Sequence, residues 1–296
     1  MSLVSTLRFI MKHPLSRGRH LQNVSRFATW QVRSRLASKP IVFDFANGTR
    51  MYARHGMTGV TGNIYVGLHD FEDMALLLHF LRPGELFVDV GANVGSYSIL
   101  AAAAVGADVI AFEPGKEARA WLNRNIELNR VGDRVDVRDH AVGSRSGTTC
   151  FTKGLDTVNH LVLDGAVDTE AIETVEMVTL DDALDDRSAV MLKVDVEGFE
   201  TEVLRGAAAT LANPALQCVV LELGGTGANY GYDEDGIRDG MQRLGFTQCG
   251  YDPYTRSLTT RDTSGTQGNT LFVRDKAYVA DRLGTAKAFL ILNRSI

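Results

Sequence analysis

From residue 85 onward, short β-branched runs alternate with helical segments of about ten residues or more, and this alternation constrains the fold more than any other feature. The predicted strands lie at 85–92, 108–114, 134–142, 190–198 and 216–225. Strands joined through helices form right-handed crossovers, which produce a mostly parallel sheet covered on both faces. The sequence therefore predicts a doubly wound α/β fold, in which ligands bind beyond the carboxyl ends of the strands.

Acidic residues stand at or near the carboxyl ends of these strands, where a fully buried strand should carry none. They are Asp89, Glu113, Asp195, Glu197 and Glu222. Burying an unpaired carboxylate is costly, so each of these positions requires a partner or a polar ligand. Because such strand ends border a common crevice, we expect the acids to surround one ligand site.

The segment FVDVGANVGSYSIL, residues 87–100, joins the first of these strands to a helix through a glycine turn. Gly91 and Gly95 permit a tight turn and a close approach of the backbone to a ligand. Their spacing is GxxxG rather than GxGxxG, and Asp89 would repel a pyrophosphate, so the turn favours a ligand with positive charge. Glu113 is placed to accept hydrogen bonds from both hydroxyls of a ribose. S-adenosylmethionine meets both requirements, and NAD is the alternative.

Four motifs, with their order and spacing preserved, resemble the FkbM family of S-adenosylmethionine-dependent methyltransferases. They are DVGANVG (89–95), FEP (112–114), TLDDAL (179–184) and LKVDVEGFETEVLRGA (192–207). The resemblance covers residues 70 to about 224. It implies a Rossmann-like class I methyltransferase fold with a mostly parallel seven-stranded sheet, helices on both faces and a late antiparallel strand. It also implies S-adenosylmethionine as cofactor and O-methylation of a sugar or polyketide hydroxyl.

The resemblance also implies cofactor contacts, position by position. The cofactor turn corresponds to Asp89, Gly91, Asn93 and Gly95, and the ribose acid to Glu113. Asp139 and His140 follow the third strand, where such folds contact adenine. Asp70 stands where the family often carries glutamate, so the charge is kept and the reach is shorter.

The strand LKVDVEGFE supplies the candidates for catalysis. A sugar hydroxyl is a poor nucleophile at neutral pH, and Asp195, Glu197 or His160 could act as its base. Side chains alternate along a strand, so Lys193, Asp195 and Glu197 should share one face, and Lys193 could neutralise part of the acidic cluster. Two alternatives stay open: a purely structural ion pair of these two residues, and a divalent ion held by the acids. No ligand spacing specifies a metal, and we expect none. Asn229 and Tyr230 are candidates for a substrate rim.

The chain divides by composition into four segments. Residues 1–40 form a basic amphipathic segment, residues 41–84 an extension, residues 85–278 the methyltransferase domain with an insertion at 144–178, and residues 279–296 a C-terminal helix. Residues 1–40 carry eight basic side chains and no acid, although the formal net charge of the chain is −5. An acidic body argues against nucleic acid as the partner.

The basic segment has two interpretations. Its apolar residues could rest on anionic lipid, or its helix could pack on the body, the interpretation that we favour. The residues concerned are Leu7, Phe9, Ile10, Leu21, Phe27 and Trp30. Three cysteines without a CxxC pair suggest neither a disulfide framework nor a zinc site, which favours a cytoplasmic protein with peripheral membrane contact at most.

Three functions follow from these observations. The first is an O-methyltransferase acting on a hydroxyl of a sugar, glycan or glycolipid precursor. The second is a non-catalytic cofactor-binding scaffold of the same fold, which the intact acids at three strand ends argue against. The third is an NAD-dependent oxidoreductase, which Asp89 and the GxxxG spacing disfavour.

Overall fold

A computed structural model describes residues 3–152, 161–162, 172–261 and 268–296 of the chain. Its α-helices are α1 (Leu3–Lys12), α2 (His20–Leu36), α3 (Thr58–Val66), α4 (Phe71–Phe80), α5 (Ser96–Ile99), α6 (Lys116–Asn129), α7 (Leu180–Leu184), α8 (Glu200–Arg205), α9 (Ala208–Ala212), α10 (Glu234–Arg243) and α11 (Lys276–Gly284). Its strands are β1 (Ile41–Asp44), β2 (Arg50–Ala53), β3 (Leu86–Val90), β4 (Asp108–Phe112), β5 (Val135–Arg138), β6 (Ala141–Val142), β7 (Gly147–Thr152), β8 (Leu161–Val162), β9 (Ile172–Val178), β10 (Ala189–Val194), β11 (Cys218–Glu222), β12 (Thr247–Asp252), β13 (Ser257–Thr260), β14 (Asn269–Val273), β15 (Leu290–Ile291) and β16 (Arg294–Ser295). A π-helical turn, Leu100–Val105, continues α5, and short 3₁₀ helices form at Pro14–Ser16 and Thr226–Tyr230.

Within the described residues, the central sheet has eight strands in the order β13-β12-β14-β11-β10-β3-β4-β5. The five strands from β11 to β5 run parallel, and β14, β12 and β13 pair antiparallel. The predicted α/β class and the late antiparallel strand are confirmed. The expected count of seven strands is exceeded because β13 turns back on β12 as a hairpin. Strand order reverses between β3 and β10, the place where such sheets form a ligand crevice.

The central strands are buried on both faces, and successive side chains pack into different cores. Phe87 and Met191 belong to one core, and Val88 and Leu192 belong to the other. The same alternation predicts that Asp89 points to the face of Phe87, as does its neighbour Lys193 on β10. Two charged side chains therefore lie at the same level of the sheet where it meets the crevice.

The N-terminal segment packs on the body. Ile10 in α1 and Phe27 and Trp30 in α2 are buried in the larger core, together with Leu15 between the helices. The interpretation of this segment as a packed helical unit is confirmed for these residues. Among the helices that the structure describes, none combines the length and apolarity required to cross a bilayer.

The insertion at 144–178 and the C-terminus differ in how well they match expectation. The described part of the insertion pairs with β6 in a four-stranded sheet ordered β6-β9-β7-β8, in which β7 and β9 are antiparallel. The C-terminal helix predicted over 279–296 is wrong in extent, because α11 ends at Gly284 and β15 and β16 form a hairpin. Leu292 and Asn293 both have positive φ, which suits a two-residue hairpin turn and ends any helix.

Candidate cofactor site and active site

The turn after β3 is fixed by the close approach of β10. Gly91 has φ +79°, and a Cβ there would overlap the carbonyl oxygen of Asp195. Asn93 also adopts the left-handed region, which asparagine tolerates better than most residues. Gly95 caps α5 at φ +91°, and a Cβ there would collide with Leu122 of α6. The glycines are therefore required by backbone conformation and by neighbours that lie far away in the sequence.

The turn borders a crevice of about 270 Å³ beyond the carboxyl ends of β3, β4, β10 and β11. Eight of the residues predicted for the site line it: Asp70, Asp89, Gly91, Asn93, Glu113, His140, Asp195 and Glu197. The insertion contributes Phe151, and α3 contributes Gly59. The expectation that the strand-end acids share one crevice is confirmed, since Glu222 lines it as well.

Asp89 is buried at the end of β3. Its Oδ2 accepts a hydrogen bond of 2.6 Å from the Ser98 hydroxyl, and its Oδ1 is buried without a partner among the described residues. Burial raises the pKa of Asp89, and the positive charge of Lys193 opposes that rise. An orphaned carboxylate oxygen at the edge of a crevice is suited to a ligand that donates hydrogen bonds or carries positive charge.

Glu113 holds the glycine turn against the end of β4. Its carboxylate accepts hydrogen bonds from the backbone N–H of Asn93 and of Gly115, each 2.8 Å long. Burial raises the pKa of Glu113 to about 7, although these two N–H groups favour the ionised form. Each oxygen keeps a second lone pair, so the group can also accept hydrogen bonds from the hydroxyls of a ligand.

Lys193 and Asp195 form an ion pair at the end of β10, in which Lys193 is buried and Asp195 is half-buried. Lys193 Nζ lies 2.8 Å from Asp195 Oδ2 and 4.7 Å from the centre of the Tyr97 ring. Burial would lower the pKa of Lys193, but the charges of Asp195 and Asp89 raise it above its ordinary value. Burial would likewise raise the pKa of Asp195, yet Lys193 lowers it. Both groups are therefore charged at neutral pH.

Glu197 and Glu222 complete an acidic cluster with Asp195. Glu197 lies beyond the end of β10 in a left-handed conformation, φ +55°, so the predicted strand face does not extend to it. One carboxylate oxygen from each of the three acids lies within 4.8 Å of the others. Burial and the charge of Asp195 raise the pKa of Glu222 to about 9, and the two side chains share a hydrogen bond. The cluster can bind a divalent ion through its oxygens. Alternatively, a proton on Glu222 can relieve the repulsion between the carboxylates.

Tyr97 is a residue of the site that sequence reasoning missed. Its ring lines the crevice, and its hydroxyl donates a 3.1 Å hydrogen bond to Asp70 Oδ2. Asp70 also lies 3.4 Å from His69 Nδ1. The available signal was one tyrosine in the first turn of α5 among small and apolar residues. This contact gives the short side chain of Asp70 a defined position at the crevice.

The remaining candidates are spread more widely. Asp139 is 65% exposed, lies 4.0 Å from Arg119 and is absent from the lining of the crevice. His140 does line it and approaches Glu176 at 3.3 Å. His160 falls outside the described residues. Asn229 and Tyr230 lie in the 3₁₀ helix Thr226–Tyr230, away from the lining, with Tyr230 packed 5.5 Å from the Phe199 ring.

The hydrogen-bond acceptors of the crevice fit S-adenosylmethionine. The ribose hydroxyls match the free lone pairs of Glu113, and the positive charge of the amino acid end matches the orphaned oxygen of Asp89. The glycine turn borders the crevice at Gly91 and Asn93, so a ligand can lie against its backbone. A dinucleotide would instead place its pyrophosphate beside a carboxylate, which is unfavourable.

Comparison with known proteins gives a family and two curated relatives. Residues 89–252 match the model of the methyltransferase FkbM domain. Hexuronic acid methyltransferase AglP of Haloferax volcanii is 28% identical over 153 residues, covering 50% of this chain and 59% of that protein. The 31-O-demethyl-FK506 methyltransferase FkbM of Streptomyces tacrolimicus is 30% identical over 171 residues, covering 46% of this chain and 65% of that protein. The chain thus spans less than two-thirds of either relative.

Solved structures resemble this chain only distantly. An rRNA methylase from Streptococcus thermophilus is 10% identical at a TM-score of 0.40, with 68% of this chain and 93% of that chain covered. A TehB-like SAM-dependent methyltransferase from Corynebacterium glutamicum is 12% identical at a TM-score of 0.38, with 69% and 88% covered. Neither likeness bears on the substrate. The matched residues of the family domain make up more than half of the sequence, and the hydrogen-bond acceptors of the crevice fit S-adenosylmethionine. The chain therefore belongs to the FkbM family of methyltransferases.

Proposed function

We propose that this protein transfers the methyl group of S-adenosylmethionine to a hydroxyl of a sugar, glycan or glycolipid precursor. One observation carries the proposal: a cofactor turn and an acidic cluster open on the same crevice, at Gly91 and at Asp195. Family membership supports the reaction class. Of the two curated relatives, the 31-O-demethyl-FK506 methyltransferase supports oxygen as the methylated atom, and the hexuronic acid methyltransferase supports a sugar as the class of acceptor.

The proposed roles at the cofactor end follow from the hydrogen bonds that are left open. Glu113 accepts from the ribose hydroxyls, and Asp89 accepts from the amino group. His140 and Phe151 line the crevice near the third strand and would contact the adenine ring, the role expected from sequence for His140 and for Asp139. S-adenosylmethionine would supply the activated methyl group.

At the acceptor end, Asp195 is the proposed base. Lys193 and Glu222 both bond to it, which fixes its carboxylate and keeps it ionised. The acceptor hydroxyl would lose its proton to Asp195 as its oxygen bonds to the methyl carbon and the bond from that carbon to sulfur breaks. Glu197 would orient a neighbouring hydroxyl. A divalent ion on the acidic cluster is the alternative means of lowering the pKa of the hydroxyl.

The charge of the crevice favours an uncharged acceptor. The described lining of the crevice contains six acids, two histidines and one lysine, Lys193. Glu222, with its pKa near 9, holds a proton at neutral pH, and the other acids are Asp70, Asp89, Glu113, Asp195 and Glu197. A carboxylated sugar would add another negative charge to this set, whereas neutral hydroxyls donate hydrogen bonds to it. The same charge disfavours nucleic acid.

Transfer of labelled methyl groups to a panel of neutral sugars, uronic acids and a hydroxylated macrolide tests the proposal. We expect a methyl ether to form on a neutral sugar and Asp195→Asn to lower kcat about 100- to 10,000-fold while binding of S-adenosylhomocysteine is kept. Asp186→Asn, which changes an exposed acid, is the matched control. Methyl esters as the products, or no transfer to any hydroxyl by protein that binds S-adenosylhomocysteine, would refute the proposal. Activity that requires added Mg²⁺ would assign the acidic cluster to a metal instead.

A further inference from the structure

Helix α2 has an apolar stripe on the side opposite its buried face. Asn23, Phe27, Trp30 and Ser34 face the body. Residues spaced by three or four positions along the other side are all exposed, and we call them the outer stripe: Leu21, Ser25, Ala28, Val32 and Leu36. Leu21 is 88% exposed and Leu36 is 81% exposed. Two leucines that project almost wholly from one helix face form a surface suited to an apolar contact.

The outer stripe differs from the lipid-facing surface that the sequence suggested. Of the six apolar residues proposed for that surface, Ile10, Phe27 and Trp30 are buried in the core, and Leu7 and Phe9 are half-buried against it. Only Leu21 of that set belongs to the stripe. The helical period explains this result, because the large aromatic residues and the exposed leucines lie on opposite sides of α2.

The charged residues of α2 and of the segments that flank it in the sequence are all basic. Arg33 and Arg35 are exposed on α2, and Lys39 is exposed just beyond it. The guanidinium of Arg35 bonds to the backbone and side-chain oxygens of Gln31, both uncharged groups. No acid occurs in residues 1–40. An apolar stripe bordered by cations is the surface that binds an anionic bilayer, with the apolar side chains among the headgroups and the cations on the phosphates.

We propose that the outer stripe and its flanking arginines dock this protein on an anionic lipid surface. A second copy of the chain is a poorer partner for this surface. Residues 1–40 of each copy carry eight basic residues and no acid, so the two segments would repel each other. Helix α3 packs beneath α2 through Tyr65 and Phe27, and Gly59 of α3 lines the crevice. Docking through α2 would therefore leave α2 and α3 between the lipid surface and the wall of the crevice at Gly59. This inference goes beyond the proposed methyl transfer and does not depend on it.

Co-sedimentation of the full chain with vesicles tests this docking. The probes are vesicles of phosphatidylcholine alone and vesicles with phosphatidylglycerol added, at low and physiological salt. We expect binding only to the anionic vesicles, weakened by salt. Leu21→Ser with Leu36→Ser should weaken it at least about tenfold, since both side chains leave the interface. Arg33→Gln with Arg35→Gln should weaken it by about 30-fold, since each arginine near an anionic surface contributes about 1 kcal/mol.

Matched controls separate this surface from general effects. Leu244→Ser and Arg243→Gln change exposed residues of the same types elsewhere and should leave vesicle binding unchanged. All the altered residues are exposed, so the thermal midpoint should stay constant. No binding of the folded wild type to anionic vesicles would overturn the proposal, as would equal binding by the leucine variant. A concentration-dependent dimer in sedimentation equilibrium that Leu21→Ser abolishes would assign the stripe to a second copy instead.

Discussion

Replacing Gly91 by alanine tests the argument that the cofactor turn is fixed by β10. The new Cβ would overlap the Asp195 carbonyl oxygen and lie 2.9 Å from its carbonyl carbon, at a backbone φ of +79°. The left-handed conformation alone costs an alanine about 1 to 2 kcal/mol. Displacing a packed backbone group costs about 1 to 3 kcal/mol more. The free energy of unfolding should therefore fall by about 2 to 5 kcal/mol.

Gly84→Ala is the matched control for this change. Gly84 has nearly the same φ, +78°, but a Cβ there meets no atom within 4 Å. It should lose only the conformational part, about 1 to 2 kcal/mol. Urea denaturation of both variants gives the difference between them, and calorimetric titration with S-adenosylhomocysteine gives the effect on the crevice. We expect Gly91→Ala, but not Gly84→Ala, to weaken the binding of S-adenosylhomocysteine by tenfold or more. A shift of the turn that costs the ligand about 1.4 kcal/mol of contact free energy raises Kd tenfold.

Equal losses of stability in the two variants would refute this reasoning. So would full affinity for S-adenosylhomocysteine in a folded Gly91→Ala protein. Either result would mean that the turn can move away from the Asp195 carbonyl without disturbing the site.

Three further predictions concern the charged groups of the crevice. Burial raises the pKa of Glu113 from 4.5 to about 7, so the folded state binds an extra proton and the contribution of Glu113 to stability should fall by roughly 3 kcal/mol as pH rises through that window. Burial also raises the pKa of Asp73 and of Glu200 to about 7, so Glu113→Gln should reduce the slope measured by urea denaturation without abolishing it, and an unchanged slope would contradict the prediction. Lys193→Met leaves the Asp195 carboxylate without its cation and should lower the free energy of unfolding by about 3 kcal/mol, part of which Asp195→Asn should restore in the double variant. Additive losses in the double-mutant cycle would show that the two residues are not coupled. Tyr97→Phe removes the hydrogen bond to Asp70 and should cost about 1 kcal/mol of stability in thermal denaturation, whereas an unchanged thermal midpoint would mean that this contact is not stabilising.

The sequence predicted those parts of the site that depend on local pattern. Alternating runs gave the α/β class, because strand and helix periods differ. Asp89 and Glu113 stood out because acids are costly at the ends of buried strands. The glycine turn was identified because Gly91 and Gly95 stand where a strand passes into a helix, and its GxxxG spacing disfavoured a dinucleotide. Each of these inferences uses residues that are close in the chain.

The sequence predicted less well wherever several elements compete for one surface. An aromatic residue in an amphipathic helix can face lipid or a protein core, and α2 placed Phe27 and Trp30 in the core. The C-terminal helix was predicted too long because the pattern did not show that α11 ends at Gly284 and that the residues after it form the hairpin of β15 and β16. The extra strand β13 was missed because an edge hairpin depends on pairing rather than on burial.

The sequence by itself determined that a carboxylate-lined crevice would form beyond the strand ends, because buried parallel strands bring their carboxyl ends to one edge. Only the tertiary structure decided how that crevice is held. Gly91 lies against the Asp195 carbonyl, and Tyr97 contacts Asp70. The partners in these contacts are separated by up to about 100 positions in the sequence. Such contacts are set by sheet order and helix packing, which combine many weak preferences along the whole chain, so no local motif encodes them.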